Sequence, residues 1–401
     1  MFRSKRLSLP LLALLVLTPT YSVRAQGVDG SVRLNQIQII GTHNSYRSDI
    51  SPVTLKWLQT LSPKMADALD YRHTSLQEQF DSGVRQIEID IYADTRGGEY
   101  SHPKGPAWER QSGLQPAPES EPSSAMQGDD FKVMHIVDVD QRSNCEPLRK
   151  CLEIVSSWSK AHPGHLPLFV DLETKQDIPF KSEKFPFTTP ETFTPATYDK
   201  LDKEILQTVG RANILTPDDV RGHFDTLDQA VRTTGWPTLS LARGKIVFLF
   251  DRPHDTARYT QGHPALRGRV VFTNSRPGDP DGAFTEVNEG FVGQAGNGSA
   301  AVNNAAAEKS ISELVKAGYL VRTRADANTV EPRAGDTSRR DVAFHSGAQI
   351  ISTDFPALEP ARWNNYVVAF PDDLIARCDP LNAPKDCQSA SLEKRDAAAT
   401  R

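Results

Sequence analysis

The sequence lacks several features that would place it in a common class. It contains no GxSxG motif of the α/β-hydrolases and no P-loop lysine motif among its 401 residues. Beyond about residue 25, no run reaches the ~20 apolar residues that a membrane-spanning helix needs. Basic residues are not in excess, because 46 Lys and Arg stand against 51 Asp and Glu, a net charge of −5. Nucleic acid is therefore not an expected partner, since phosphate binding depends on clustered positive charge.

Cysteine is also scarce, with four residues in the whole chain. They form two short-range pairs, and neither pair has the CxxC spacing of structural zinc sites. In an exported protein this arrangement predicts two small disulfide loops, Cys145–Cys151 and Cys378–Cys387. A zinc site made from all four cysteines is the alternative.

The N-terminal residues have the layout of a secretory signal peptide. Basic residues precede a short apolar run, and a small-residue pattern ends at Ala25. We expect residues 1–25 to be removed and the mature protein to be secreted or periplasmic. The mature chain is then more acidic still, which disfavours permanent attachment to an anionic membrane but is compatible with transient contact with a membrane surface. We expect a monomer.

Apolar, β-rich runs alternate with helical patterns along the mature chain. This alternation predicts an α/β fold, a (β/α)8 TIM-type barrel with long loop insertions in a single domain of residues 26–387. The insertions are the polar stretches 94–130 and 174–193. Residues 388–401 are expected to form a disordered tail. The eight runs begin at Gln36, Arg85, Lys132, Pro167, Lys245, Arg269, Tyr319 and Gln349.

Polar residues stand at the ends of the first four apolar runs. Each has an ordinary structural explanation when taken singly: a turn, a buried ion pair or a packing histidine. Because parallel barrel strands end at one rim, their joint placement indicates a functional site. The residues are His43 and Asn44, Glu88 and Asp90, His135, and Asp171 and Glu173.

The residue types indicate the chemistry of this site. Carboxylates with a carboxamide oxygen are hard ligands, which select calcium or magnesium over zinc. Two imidazoles beside such an ion suit acid–base catalysis on a charged oxygen centre. A metal ion that polarises a phosphoryl oxygen completes the set of groups that phosphodiester cleavage requires.

The motifs GTHNSY, IEIDIY, VMHIVD and LFVDLE occur in this order. They resemble the catalytic barrel of the calcium-dependent phosphoinositide-specific phospholipase C family. The later runs GYLVRTRADANT and SGAQIISTDFP resemble the bacterial secreted branch of this family of phospholipase C-like phosphodiesterases. The resemblance extends from about Gln36 to Cys387, nearly the whole mature chain.

The resemblance implies that phosphatidylinositol or a related inositol phosphodiester is cleaved by attack of the inositol 2-hydroxyl, giving a cyclic inositol phosphate and diacylglycerol. It implies that His43 stabilises the phosphate, that His135 is the general acid, and that a carboxylate such as Glu88 helps to activate the hydroxyl. The implied Ca2+ ligands are Asn44, Glu88, Asp90 and Glu173. Candidates for contacts to the substrate, by position alone, are Asp171, Lys175, Arg322, Arg324 and Asp354.

Several alternatives stay open at the level of sequence. His102, in the first insertion, is an alternative to His135 as the second catalytic histidine. The substrate could be a soluble phosphodiester, as in a glycerophosphodiester phosphodiesterase on the same barrel, although that family has arginine where Asn44 stands here. A metal-independent phospholipase C would need a cation in place of the metal. A phosphate-binding module without catalytic activity is the alternative from a different functional class.

Overall fold

The computed structural model describes residues 29–116, 123–178, 182–288 and 304–394. The expected signal peptide lies outside these residues. Within the described ranges, we find no helix with both the length and the apolar character to cross a bilayer.

The strands and helices alternate for most of the described chain. The strands are β1 Ile37–Thr42, β2 Gln86–Tyr92, β3 Lys132–Val133, β4 Leu168–Thr174, β5 Ile246–Phe250, β6 Val271–Phe272, β7 Phe284–Glu286, β8 Leu320–Arg324, β9 Ile350–Thr353 and β10 Ala376–Cys378. The first seven helices are α1 Pro52–Leu61, α2 Pro63–Ala68, α3 Leu76–Asp81, α4 Gly105–Gln111, α5 Ser123–Gln127, α6 Leu148–Ala161 and α7 Pro195–Val209. They are followed by α8 Pro217–Arg221, α9 Leu227–Thr233, α10 Leu239–Ala242, α11 Thr256–Tyr259, α12 Asn304–Ala317, α13 Val330–Ala334 and α14 Ser338–His345.

Eight strands form a parallel sheet in the order β6-β5-β4-β2-β1-β9-β8-β7. The two end strands approach each other through a parallel bridge between Asn274 and Phe284, so the sheet is a nearly closed barrel. The predicted α/β barrel is confirmed. Its active rim is the end at which all eight parallel strands terminate.

One of the eight predicted barrel strands lies outside the barrel, and one barrel strand was not predicted. The run that begins at Lys132 forms β3, which pairs antiparallel with β2 and lies off the barrel path, so β4 is the direct neighbour of β2. The chain reverses directly after β3, with a bridge between Ile136 and Asp140. The eighth barrel strand is instead β7, whose three residues are too few for a periodic pattern to reveal.

The pattern of β2 explains how the barrel presents carboxylates. Successive side chains of a strand point to opposite faces. Ile87, Ile89 and Ile91 belong to the main apolar core, so Glu88 and Asp90 project from the other face. Burying two carboxylates there is costly unless cations or a metal compensate their charge.

Local signals set the helices that cover the barrel. Helix α7 begins with Thr194 as N-cap and Pro195 at the first position, and it ends at Gly210, whose φ is 86°. Helix α12 ends just before Gly318, whose φ is 102°. Both helices thus end at a glycine with positive φ, a common way for a helix to terminate.

The two insertions pack together beside the barrel rim. Within the described part of the first insertion lie α4 and α5, whereas residues 182–193 of the second form no helix or strand. Trp57 of α1 contacts Trp108 of the first insertion at a ring separation of 5.8 Å and Phe185 of the second at 5.1 Å. A second apolar core, separate from that of the barrel, therefore holds the insertions in place.

The cysteines pair as expected, Cys145 with Cys151 and Cys378 with Cys387. This pairing excludes the four-cysteine zinc site.

The first residues of the expected disordered tail, 388–394, pack against the barrel. Glu393 accepts hydrogen bonds from Arg85 at 2.6 and 3.0 Å and from the backbone amide of Leu166 at 2.9 Å. Leu392 is buried in the main core. Residues 388–394 are thus ordered because an acid and an apolar residue find partners on the barrel, and residues 395–401 lie outside the described part.

Candidate active site

A cavity of about 250 Å³ opens at the carboxyl ends of the barrel strands. Its wall is mainly charged, and residues from both ends of the chain contribute to it. The lining residues include His43, Tyr71, Glu88, His135, Glu173, Lys175, Asp251, Arg252, Asn288, Arg322, Arg324, Arg339 and Asp354.

The register of β2 and β4 brings the predicted carboxylates together. Glu88 pairs with Asp171 and Asp90 with Glu173 across the two parallel strands. Oxygen atoms of Glu88, Asp90 and Glu173 lie within 4.8 Å of one another, and all three residues are buried. Two oxygens on opposite sides of a calcium ion are separated by about 4.8 Å, twice the ~2.4 Å bond length, so the cluster has the right size for Ca2+.

Asn44 carries the fourth oxygen of the expected ligand set. The turn after β1 gives this residue a φ of 49°, a left-handed conformation that asparagine tolerates. Its Nδ2 donates to the hydroxyl of Tyr71 at 2.8 Å. Its Oδ1 is buried and has no hydrogen-bond partner among the described residues. A buried acceptor without a partner is costly, and a bound cation would satisfy it.

Three basic side chains contact the carboxylates directly. The Nζ atom of Lys175 lies 3.1 Å from both Asp90 and Glu173, Arg252 binds Glu173, and Arg322 binds Glu88. Burial alone would raise the pKa of Glu173, but Lys175 and Arg252 hold it below the usual value. For Glu88, burial prevails and the pKa is raised in spite of Arg322. A calcium ion would share these oxygens with nearby cations.

Arg322 occupies the centre of the barrel interior. Its guanidinium group contacts Glu88, Asp171 at 3.3 Å and Glu286 at 2.7 Å, and all four groups are buried. Burial raises the pKa of Asp171 to about 6. The planar guanidinium group with its five donors suits this position, because it can contact several carboxylates at once.

The first histidine is held by two partners. His43 Nδ1 lies 2.8 Å from Oδ1 of Asp354 and 3.2 Å from the hydroxyl of Tyr71. Its Nε2 is on the other side of the ring, 3.6 Å from Glu88. Burial, together with the nearby Arg324, lowers the pKa of His43 to about 3, although Asp354 opposes this shift. The free imidazole is therefore neutral near pH 7.

The second histidine has a similar carboxylate partner. His135 Nδ1 lies 3.1 Å from Asp140, whose carboxylate also accepts a 2.6 Å hydrogen bond from Arg47. Burial lowers the pKa of His135, while Asp140 acts in the opposite direction. His135 reaches the cavity from the turn after β3, so a loop held by β2 presents it, and not a barrel strand.

The structure separates the two candidates for the second histidine. His102 is exposed in the insertion after β2, whereas His135 lines the cavity. Of the suggested substrate contacts, Lys175, Arg322, Arg324 and Asp354 line the cavity as well. Asp171 is fully buried beneath it, against Arg322.

Several residues at the site were missed by the sequence interpretation. Asp251 and Arg252 directly follow the apolar strand β5, and this is the same signal that identified His43, so they could have been found. Asp140 follows His135 by five residues, but Asp138 in the same run is an equal candidate by sequence. Tyr71 lies between helices, where no periodic pattern exists to single it out.

Comparison with known proteins agrees with this geometry. The model of the family "Phosphoinositide phospholipase C, Ca2+-dependent" matches residues 32–380. No curated protein sequence matches the chain significantly.

Similar solved structures include two bacterial enzymes. One is a calcium-dependent phosphoinositol-specific phospholipase C from a Pseudomonas species, with 15% identity, a TM-score of 0.46, and coverage of 84% of this chain and 94% of that chain. The other is a Ca2+-dependent phosphatidylinositol-specific phospholipase C from Streptomyces antibioticus, with 17% identity, a TM-score of 0.47, and coverage of 81% and 95%.

The family match includes every barrel strand and both cavity histidines. The resemblance identified from the sequence motifs is thereby confirmed. The chain belongs to the family of Ca2+-dependent phosphoinositide phospholipases C, which are phosphoric diester hydrolases with Ca2+ as cofactor.

Proposed function

We propose that the protein cleaves phosphatidylinositol, or a closely related inositol phosphodiester, to a cyclic inositol phosphate and diacylglycerol. One observation carries this proposal. Two imidazoles, each bound through Nδ1 to a carboxylate, line the same cavity as the oxygen cluster of Glu88 and Glu173. The attacking group is the 2-hydroxyl of the inositol, which is already positioned beside the phosphorus within the same molecule.

Asn44, Glu88, Asp90 and Glu173 are the proposed ligands of Ca2+. Their oxygens are hard donors, and the unpaired Oδ1 of Asn44 would gain a partner. When bound, Ca2+ supplies electrostatic stabilisation of the phosphoryl oxygens and lowers the pKa of the attacking hydroxyl. Lys175 and Arg252 lie beside the same carboxylates and are proposed to add positive charge near the phosphate.

His43 is proposed to bind the phosphoryl group through Nε2. Its Nδ1 donates to Asp354, so Nε2 is the atom that remains for the substrate. An anionic phosphate in the cavity favours the protonated imidazole, whose Nε2–H then donates to a phosphoryl oxygen. Charge that develops in the transition state strengthens this hydrogen bond.

His135 is proposed to be the general acid, and Glu88 a candidate base. With Nδ1 of His135 held by Asp140, its Nε2–H can transfer a proton to the oxygen of the leaving diacylglycerol. Glu88 lines the cavity 3.6 Å from Nε2 of His43, so its carboxylate lies beside the proposed phosphate position and can accept the proton of the 2-hydroxyl.

The cavity size favours a headgroup over a whole lipid. A volume of about 250 Å³ lies below the ~300–1,000 Å³ typical of sites for drug-sized ligands, and charged side chains dominate the wall. Acyl chains would remain outside the rim.

Transient contact with a membrane surface is part of the proposal. Four large apolar side chains are exposed in segments that follow the carboxyl ends of barrel strands: Leu61, Ile178, Val330 and Leu358. Apolar side chains around a headgroup cavity would insert among lipid headgroups while the cavity takes the inositol. We further propose that the protein is exported and acts as a monomer, with its two disulfides formed in an oxidising compartment.

Phosphorus NMR of the protein with phosphatidylinositol, with calcium and with a chelator, tests the reaction. A cyclic inositol phosphate that forms only with calcium would support the substrate, the metal and the hydroxyl nucleophile together. If only glycerophosphodiesters are hydrolysed, with calcium, the site is retained but the substrate proposal fails. A linear inositol phosphate as the first product would contradict attack by the 2-hydroxyl.

A further inference from the structure

A further histidine, His73, lies directly behind the turn that carries His43 and Asn44. The side chain of His73 is fully buried, and its ring is 5.8 Å from that of Tyr71. Its Nε2 lies 2.9 Å from the carbonyl oxygen of His43, and its Nδ1 lies 2.6 Å from Oε2 of Glu359. The His73 ring binds the turn at the backbone carbonyl of His43. His73 has no role in the chemistry proposed above.

The two contacts determine the protonation of His73. A carbonyl oxygen only accepts hydrogen bonds, so Nε2 must carry a proton. A carboxylate also accepts, so Nδ1 must carry one as well. His73 is thus an imidazolium paired with Glu359. Although burial acts against the charge, the pKa of His73 is raised and that of Glu359 is lowered, in agreement with these contacts.

The carbonyl that His73 binds controls the conformation of Asn44. The carbonyl of His43 and the amide of Asn44 share one peptide plane, so a rotation of that plane changes the φ of Asn44. A φ of 49° is uncommon for a residue other than glycine, and rotating the plane would relieve it. The adjoining backbone is fixed by two hydrogen bonds, His43 N to Thr353 O at 3.1 Å and Ser45 N to Glu88 O at 2.9 Å. The bond from His73 fixes the plane between them.

We propose that His73 is a positioning residue, which locks the His43–Asn44 peptide and thereby fixes the orientation of the His43 imidazole and of the unpaired carboxamide oxygen of Asn44. The inference rests on the proposed function for its effect on turnover. Its effect on calcium binding requires only that Asn44 is a ligand.

The loop that holds His73 also reaches the rim. Glu359 follows the exposed Leu358, and its second oxygen accepts hydrogen bonds from the backbone amide and hydroxyl of Thr74 at 2.8 and 2.6 Å. The Glu359 carboxylate therefore connects the loop after β9 to the segment of His73 and Thr74, which contacts the turn after β1.

Two substitutions of His73 separate its donor from its charge. The amide nitrogen of glutamine reaches the position of imidazole Nε2, whereas that of asparagine reaches the position of Nδ1. His73→Gln should keep the hydrogen bond to His43, and His73→Asn should lose it, while both lose the charge. We expect His73→Asn to lower kcat and to weaken calcium binding by about tenfold or more, as for other groups that orient a metal ligand. His73→Gln should stay within about threefold of the wild type, a smaller loss than the roughly tenfold or greater loss expected of His73→Asn.

Turnover of phosphatidylinositol and direct calorimetric titration with calcium are both measured, together with the thermal midpoint. Thr74→Val, which loosens Glu359 without touching His73, is the matched control and should behave as the wild type does. Equal losses in His73→Asn and His73→Gln, or no loss in either, would overturn the inference. A wild type that binds calcium but leaves phosphatidylinositol intact would refute the proposed function instead, and the calorimetric comparison of the two variants would still decide the role of His73.

Discussion

His43 and Asp354 form a partly buried pair at the cavity wall, with Nδ1 of the imidazole 2.8 Å from Oδ1 of the carboxylate. The residues are 311 positions apart in the sequence, and the pairing of β1 with β9 brings them together. The carboxylate fixes which ring nitrogen carries the proton and directs Nε2 into the cavity. His43 and His135 repeat this arrangement, each with its own aspartate.

The Asp354→Asn variant is expected to lose most turnover without losing the fold. Asparagine lacks the carboxylate charge that favours the protonated ring, so the imidazolium form of His43, which is proposed to stabilise the phosphoryl group, becomes less populated. We expect kcat to fall by about 100-fold, less than the ~10⁴ found when the orienting aspartate of a serine protease is changed to asparagine. Steady-state kinetics on phosphatidylinositol measure the change. Asp386→Asn, at an exposed site, is the control, and an unchanged kcat in Asp354→Asn would show that this pair does not orient His43.

The general-acid assignment makes a prediction for the pH profile. A general acid must be protonated, so kcat/KM should fall as the pH rises through the pKa of His135. Burial lowers that pKa from 6.5, so the alkaline limb of the free enzyme should lie below pH 6.5. Asp140 raises the pKa of His135, and the Asp140→Asn variant should therefore shift the limb to still lower pH.

The profile of kcat/KM between pH 4 and 9, roughly the range that brackets unperturbed histidine, tests this assignment. The thermal midpoint must be recorded as well, because Asp140 also pairs with the buried Arg47. A limb that does not move in Asp140→Asn, or that moves to higher pH, would assign the observed ionisation to another group.

The barrel and the residues at its rim could be predicted from the sequence. The strand or loop that carries each of these residues could not always be predicted. Glu88 and Asp90 could be predicted because the two carboxylates interrupt an otherwise apolar strand. His135 was assigned to a barrel strand because the run KVMHIV is apolar, whereas the chain reverses after Val133. The pairing of strands depends on contacts between distant segments, which a local pattern does not contain.

The partners of the site residues were harder to predict than the residues themselves. Tyr71 and His73 lie in a short segment between helices, and their roles come from contacts to the turn after β1. Glu359, the partner of His73, lies 286 residues further along the chain. No spacing rule connects such residues, because the fold alone brings them into contact.

Calcium binding should respond in opposite directions to two substitutions at the cluster. The ammonium group of Lys175 lies 3.1 Å from both Asp90 and Glu173, so it competes with a cation for the same oxygens. Lys175→Met is expected to tighten calcium binding by roughly tenfold, because a like charge 3.1 Å from two of the proposed ligands is removed. Turnover should nevertheless decrease, since positive charge beside the phosphate is lost.

Asp90→Asn is the matched comparison, because it removes a ligand charge and should weaken calcium binding by about tenfold or more. Calorimetric titration of both variants measures the affinity directly. Weaker binding in Lys175→Met would mean that the lysine organises the carboxylates and does not compete with calcium. An unchanged affinity in Asp90→Asn would remove Asp90 from the proposed ligand set.

The disulfide near the C-terminus should contribute to stability and not to catalysis. Cys378 and Cys387 close a loop with a sequence separation of 9, and β10, which carries Cys378, pairs with the amino-terminal half of β1, away from the rim. Replacing both cysteines by serine should lower the free energy of unfolding by roughly 2–3 kcal/mol, from the loop-closure entropy. Chemical denaturation measures this loss, and kcat is expected to stay unchanged. A large loss of kcat in a folded variant would link this loop to the site.

The exposed apolar residues at the rim should matter only when the substrate is part of a membrane. Leu358 and Val330 follow β9 and β8, whereas Leu241 precedes β5 and lies at the opposite end of the barrel. Leu358→Ser with Val330→Ser should reduce cleavage of phosphatidylinositol in vesicles by roughly 30-fold, since partial burial of each side chain is worth about 1 kcal/mol.

A water-soluble inositol phosphodiester should be cleaved by that double variant at the wild-type rate, because neither residue carries a group used in the reaction. Leu241→Ser is the control and should affect neither substrate. If the double variant lost activity equally on both substrates, the rim residues would serve the cavity and not the membrane. If it kept full activity on vesicles, lipid would have to approach the cavity without these two side chains, and the charged groups of the rim would then have to account for binding to the surface.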